Sequence, residues 1–273
     1  MISLREIGMA DFIKNTISYY TFAAICAVIA AGAVYFIIGR NRPTPVSFRI
    51  YAFIYTLFGV FIGGHLLFFI VGLGSWIKEY GHDIHSTADF IDAFAQGASG
   101  MVFYGGLFGA LLALFIFCRV HHLPLRGEFN NAVTVFPLFH GIARIGCALT
   151  GCCYGIEYHG FFAMTYTKEQ IVAGRTDDLT DFTRFPVQLL EAALNIALFA
   201  LLLAVYLRTR DKYSITRIYL AAYALIRFLD EFLRGDAVRG IWGPFSTSQW
   251  ISLAVIAVLA AYYVSEKYRI KKV

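Results

Sequence analysis

Arg144, in FHGIARIGC, and Arg227, in YALIRFLDEFLR, lie inside or at the edge of long apolar runs. Every other basic residue of the chain can be placed in a loop or at a helix end. A guanidinium left at membrane depth is costly, so it usually faces a cavity or a substrate path. Its planar fork of N–H donors also matches a phosphate. His140 stands four residues before Arg144 and shares its helix face. Gly146, Gly151 and Gly155 then break the helix and offer backbone N–H groups beside the guanidinium. In the second segment Arg227 and Glu231 form an i, i+4 pair, Asp230 is three residues from Arg227, and Arg234 follows one turn on. Two arginines from different helices with one carboxylate would make a phosphate clamp with an acid or base at hand. The structural alternatives are a self-satisfied ion pair and an arginine that binds helix carbonyls.

Two further segments bear on chemistry. In SGMVFYGGLFG, Gly100, Gly105, Gly106 and Gly109 thin one side of a helix, and Gly105 with Gly109 makes a small-xxx-small pair. Such a pair serves close helix packing; the functional alternative is a groove that admits a lipid, with the Tyr104 hydroxyl pointing into it. Cys147, Cys152 and Cys153 cluster, while Cys26 and Cys118 stand apart. No CxxC or HxxxH lies nearby, so the spacing does not give a zinc pattern. Small apolar core residues, a disulfide or a reactive thiol are the readings that remain. The other histidines, His65, His82, His85, His121, His122 and His159, show no ligand spacing. No metal or organic cofactor is indicated.

The elements that position these residues follow from composition. The 273 residues are 59% hydrophobic and only 15% charged. Apolar stretches long enough to cross about 30 Å of hydrocarbon recur. This predicts an all-α polytopic membrane protein with about seven transmembrane helices, at roughly 17–39, 50–74, 99–118, 129–149, 186–207, 214–234 and 247–265. The fourth and sixth, which carry the arginines, are the polar ones. Segment 75–98 is too charged to span and reads as an interfacial arm; segment 150–185 reads as a small extracytoplasmic head. Without a repeat or a flexible linker, residues 1–273 read as one integral membrane domain. Arg5, Glu6, Asp11 and Lys14 precede the first apolar run, so no cleavable signal peptide is expected.

Charge gives the orientation. One set of loops holds Arg40, Arg42, Arg49, Arg119, Arg126, Arg208, Arg210, Lys212, Arg217, Lys267, Arg269, Lys271 and Lys272 against Glu128, Asp211 and Glu266. The opposite set is acid-rich. The cationic set marks the cytoplasm, which puts the N-terminus outside and the C-terminus inside. The net charge of +5 therefore belongs to membrane topology and does not point to nucleic acid.

These motifs together resemble the prolipoprotein diacylglyceryl transferase family nearly end to end. FYGGLFG is similar to the family's FHGGLIG, and RIGCALTGCCYG to its RIGN-x-x-NGE-x-x-G signature. RFPVQLLEA is similar to HPxQLYEA, and IRFLDEFLRGD to R-x-x-x-E-F-x-R-x-x-D. FSTSQWISL stands where the family has SMGQ-x-L-S, and ISYYTFA where it has IRWYGL. The resemblance implies transfer of a diacylglyceryl group from phosphatidylglycerol to the lipobox cysteine thiol of a prolipoprotein, with release of glycerol phosphate. It implies that Arg144 and Arg227 hold the lipid phosphate and that Glu231 orients Arg227 or moves a proton. Tyr20 matches an essential first-helix tyrosine, and Gly155 shapes the signature loop.

The chain departs from the pattern in two places. Tyr104 replaces the histidine of FHGG, and Cys147 replaces the signature asparagine, with Thr150-Gly151-Cys152 in place of NGE. A tyrosine, with an ordinary pKa near 10, is a poorer base at neutral pH than histidine; His140 is the nearby substitute. These departures are those of a divergent paralogue. The expected catalytic set is Arg144, Arg227, Glu231, Tyr104 and His140, with Tyr20, Gly105, Gly106, Cys147, Gly151, Gly155 and Arg234 binding substrate. The expected partners are phosphatidylglycerol or another anionic phospholipid and the signal-peptide region of a prolipoprotein, in a bacterial cytoplasmic membrane. A paralogue with another acceptor and a non-catalytic phospholipid binder are the alternatives.

Overall fold

The computed structural model describes residues 9–80, 86–97, 100–166, 183–209, 214–236 and 240–270. It is all-α apart from two short hairpins. The helices are α1 (Met9–Gly39), α2 (Val46–Tyr80), α3 (Thr87–Gly97), α4 (Phe103–Val120), α5 (Leu125–Thr150), α6 (Val187–Thr209), α7 (Ile215–Asp230) and α8 (Thr247–Ile270). One antiparallel hairpin pairs β1 (Met164–Thr165) with β2 (Thr183–Arg184), the other β3 (Ile241–Trp242) with β4 (Phe245–Ser246).

Among the described residues, six helices are long and apolar enough to cross a membrane: Tyr19–Gly39 of α1, Val46–Lys78 of α2, and α4, α5, α6 and Thr247–Tyr268 of α8. The sixth predicted span, 214–234, differs. It is the 16-residue α7 followed by a single 3₁₀ turn, Glu231–Leu233. At 1.5 Å per residue α7 is only about 24 Å long, and the charged groups at its end account for its low apolarity. The predicted arm at 75–98 resolves into the last turn of α2 and the amphipathic helix α3. Of the predicted head, residues 167–182 lie outside the described residues.

The chain forms two compact units that interleave in sequence. The first holds residues 1–39, 130–239 and 248–273, the second residues 40–129 and 240–247. In the first, asparagines near the start of α5 fasten three other helices. Asn131 Nδ2 donates to the Tyr35 carbonyl (3.4 Å), Tyr206 Oη donates to Asn131 Oδ1 (3.2 Å), and the Ile215 N–H donates to Asn130 Oδ1 (2.9 Å). Both asparagines are buried, where only partnered amides are stable. Further along α5, a Cβ at Gly141 would press on the Ala192 carbonyl of α6, and one at Gly146 would overlap Ala23 of α1. The glycines therefore let α1 and α6 close on α5 around Arg144.

In the second unit α2 and α4 pack backbone to backbone. A Cβ on Gly105 would overlap the Gly63 carbonyl oxygen, and one on Gly109 would overlap that of Gly59. Gly106 faces Val60. Small residues allow this approach where lipid supplies no hydrophobic drive between helices. The outer side of α2 exposes Ile54, Phe58, Phe61, Ile62, Leu66 and Ile70, an apolar face suited to acyl chains. Trp76 Nε1 donates to the Ala93 carbonyl (2.7 Å) and fixes α3 against the end of α2.

The packing predicts opposite results at two glycines of α2. Gly63→Leu should destabilise the protein by about 3 kcal/mol or more through overpacking. Gly72→Ala, with nothing within 4 Å of its Cβ, should be neutral or stabilise by up to about 1 kcal/mol. Thermal unfolding in detergent distinguishes them.

Candidate functional site

The site begins with the end of α5. Thr150 Oγ1 donates to the Gly146 and Cys147 carbonyls (3.0 and 3.2 Å). The Cys152 N–H reaches back to the Cys147 carbonyl (3.2 Å) and the Gly151 N–H to that of Ala148 (3.3 Å). With Gly151 at φ +73°, this is the Schellman helix stop, in which the residue after the left-handed one returns to the last helical turn. The glycine is required because a Cβ is disfavoured in that conformation. Cys153 also has positive φ, 57°, which is strained for a residue that is not glycine and tends to mark function. The two left-handed residues fold the chain so that the Sγ atoms of Cys147, Cys152 and Cys153 all lie within 4.8 Å of one another. The sequence groups these three cysteines, but its spacing does not give the closeness of their sulfurs, because the fold back arises from the cap geometry and not from a ligand motif.

The chain then runs past the end of α7. Gly155 and Arg234 form a β-bridge, the Ile156 N–H donates to the Leu233 carbonyl (2.9 Å), and the Gly235 N–H donates to that of Tyr154 (3.0 Å). A Cβ on Gly155 would overlap the Phe185 carbonyl, so this position must be glycine. Gln188, on the first turn of α6, donates to the Cys152 carbonyl (2.8 Å) and accepts from Tyr166 Oη (3.3 Å). The turn, α6 and the end of α7 are thus stitched together by backbone and amide bonds.

Three arginines converge there, each with a carboxylate. Arg144 Nη2 lies 2.8 Å from Glu191 Oε2, and His140 Nε2 lies 3.5 Å from Glu191 Oε1. Arg227 Nη2 lies 2.5 Å from Glu231 Oε2 and donates to Ser248 Oγ of α8 (3.3 Å). Arg234 binds Asp236 with two parallel bonds, Nε to Oδ1 (2.9 Å) and Nη2 to Oδ2 (2.5 Å). Arg144, Arg227, Glu191, Glu231 and Asp230 are all buried. Glu191 lies in the field of Arg144 first, then of Arg227, His140 and Arg234. It is the common neighbour of the two arginine segments.

The pairs leave donors over. Among the described residues, Arg144 Nε and Arg227 Nη1 are buried with no hydrogen-bond partner. The Arg144–Glu191 contact is short yet poorly aligned, since Arg144 Nη2 makes no directed hydrogen bond. Unused buried N–H groups cost free energy unless an acceptor completes them, and a phosphate oxygen is such an acceptor. Below the membrane-depth residues, hydrogen bonds from the Cys147 and Cys152 sulfurs, reinforced by the charges of Arg234 and Arg144, hold the Cys153 thiol well below the usual range against the opposing effect of burial.

The expected site residues distribute unevenly. Arg144, Arg227, Glu231, His140, Cys147, Gly151, Gly155 and Arg234 belong to the first unit and assemble as described. Tyr20 joins them there, at the α1 turn facing Gly146. Tyr104, Gly105 and Gly106 belong to the second unit. Within it Tyr104 is buried and stacks on Phe108 (5.8 Å), and the glycines serve the approach of α4 to α2. Glu191 was not among the expected site residues, although RFPVQLLEA contains it; Gln188 and Asp236 are further additions.

The prolipoprotein diacylglyceryl transferase family matches residues 9–265. The chain is 26% identical over 251 residues to phosphatidylglycerol–prolipoprotein diacylglyceryl transferase 2 of Clostridium perfringens, covering 92% of this chain and 91% of that one. It is 27% identical over 214 residues to the enzyme so named from Clostridium tetani, 78% of each chain. The similarly named protein of Chlorobaculum tepidum matches at 27% over 252 residues, 88% of this chain and 84% of its own.

The ion-pair geometry predicts that Glu191→Leu, which leaves Arg144 buried and unpaired, costs about 3–5 kcal/mol. The double variant Arg144→Met/Glu191→Leu should recover most of that loss. Denaturant unfolding in micelles measures both.

Proposed function

Since the chain belongs to the prolipoprotein diacylglyceryl transferase family, and is therefore a diacylglyceryl transferase, we propose that its donor is phosphatidylglycerol and its acceptor a lipobox cysteine thiol. The observation that carries this reading is the pair of buried arginines with unused donors, Arg144 Nε and Arg227 Nη1, that share Glu191 as neighbour. The lipid phosphate bridges the two guanidinium groups and takes those donors. Glu231 and Ser248 hold Arg227, Glu191 holds Arg144, and the Arg234–Asp236 pair closes the outer end. Tyr20, Cys147, Gly151 and Gly155 border the headgroup.

In the reaction the acceptor thiolate attacks the glyceryl carbon that bears the phosphate. A carbon–sulfur bond forms, the carbon–oxygen bond breaks, and glycerol phosphate leaves with the electron pair. Its additional negative charge is met by the arginines, which therefore bind the transition state more tightly than the bound lipid. The thiol must first lose its proton; His140, positioned by Glu191, is the base in this unit. The protein sits in the bacterial cytoplasmic membrane with its N-terminus outside, so the end of α5 meets the acceptor on the outer face.

Purified protein incubated with phosphatidylglycerol and a lipobox peptide should add a diacylglyceryl mass to the peptide. Arg144→Ala and Arg227→Ala should each lower the rate about 10²–10³-fold or more while remaining folded in detergent. Retained turnover in either variant overturns the clamp. Lipid that co-purifies without any peptide modification would instead mean another acceptor.

A further inference from the structure

Cys152 and Cys153 have no part in the phosphate clamp and Cys147 only borders the headgroup, yet three features of the fold bring the three together. The Schellman stop returns Cys152 to the last turn of α5, where Cys147 lies. A second left-handed residue, Cys153, keeps a strained conformation that a non-glycine residue adopts only where its surroundings enforce it. The three sulfurs then lie within 4.8 Å of one another, and all three thiols are free. A disulfide would use two sulfurs and leave the third without purpose. A tetrahedral zinc ion with sulfur ligands at about 2.3 Å spaces its sulfurs about 3.8 Å apart, a small contraction from the observed grouping.

We propose that Cys147, Cys152 and Cys153 form a three-thiolate site for zinc with its fourth position left to an exchangeable ligand. Charge supports this. Three thiolates and one zinc ion sum to a single negative charge, and two cations flank the turn that carries the sulfurs: Arg144 lies on α5 three residues before Cys147, and Arg234 is bridged to Gly155, two residues beyond Cys153. The turn supports it too. The Thr150 hydroxyl lies 3.3 Å from Cys152 Sγ but is already committed to the Gly146 and Cys147 carbonyls, so it leaves the fourth position open. Cys147 is buried, whereas Cys152 and Cys153 are half-buried, which places the open side toward the loop. Three protein ligands with one open position is the pattern of zinc sites that act on a bound ligand, and a thiol bound to zinc is deprotonated outright. An acceptor thiol is such a ligand; this last use rests on the proposed transfer reaction, whereas zinc binding itself does not.

The test uses the full-length protein in detergent, reduced and then freed of reductant and metal. Zinc titration should give one tight equivalent, and zinc should protect all three cysteines, read as peptides by mass spectrometry, from iodoacetamide. Cys147→Ser, Cys152→Ser and Cys153→Ser should each weaken zinc binding about 100-fold or more, and Cys26→Ser in α1 should leave it unchanged. Cobalt in place of zinc should show sulfur-to-metal charge transfer that intensifies when a lipobox peptide thiol is added and does not when its serine analogue is added. Absence of protection in the unmutated protein, or a stable disulfide among the three under the same conditions, overturns the site. Zinc binding with no spectral response to the peptide thiol overturns the open fourth position alone. A protein that binds zinc but transfers nothing from phosphatidylglycerol would refute the proposed reaction and leave the zinc site standing.

Discussion

Everything in the first unit is arranged around the pairing of buried arginines with carboxylates at membrane depth. A lone guanidinium there would cost several kilocalories per mole, and a lone carboxylate a similar amount. Glu191 on α6 meets Arg144 on α5, and Glu231 meets Arg227 just beyond α7. Because Arg144 and Glu191 sit on different helices, satisfying their charges also fixes α5 and α6 as neighbours, whereas Glu231 satisfies Arg227 from within the same segment. The glycines of α5 follow from the same demand, since Gly141 and Gly146 let α6 and α1 come close enough to enclose Arg144.

The second constraint is the backbone at the end of α5. A helix that stops where the protein buries its end leaves carbonyls that water cannot reach, and these must be satisfied within the protein. Here Thr150, the returning N–H groups of Gly151 and Cys152, and the Gln188 amide do so. The sharp stop carries the chain from the arginine to the Gly155–Arg234 bridge within a dozen residues. Positions of the sulfurs and of Arg234 are consequences of how those backbone groups find partners.

Much of this was legible in the sequence because polar residues inside apolar runs have few acceptable environments. The arginines, the i, i+4 partner Glu231 and the helix-breaking glycines all announced themselves, as did the membrane class. Glu191 was harder, since it lies in an otherwise ordinary apolar segment and its partners are 47 and 51 residues earlier in the chain, at Arg144 and His140. The cysteines group visibly in the sequence, but the closeness of their sulfurs was hidden for a different reason: it depends on two left-handed residues, and a sequence shows glycine's tolerance for that conformation but not that Cys153 adopts it. The last polar segment, α7, satisfies its charges internally and so needs less length than a lone spanning helix.

In the proposed clamp the carboxylate partners carry the same charge sign as the substrate, and the geometry of arginine resolves the conflict. A guanidinium has five donors in a rigid plane, and a carboxylate takes one or two of them. Glu191 and Glu231 each face one Nη2 of their arginine, while Arg144 Nε and Arg227 Nη1 remain to be completed. Lysine, a point charge on a flexible stem, would be neutralised by the same carboxylate without presenting a fixed second face. The ion pairs thus do two jobs with one set of atoms. They make the charges tolerable in the membrane, and in the proposed clamp they aim the unused donors before a phosphate arrives, which leaves little reorganisation for the transition state.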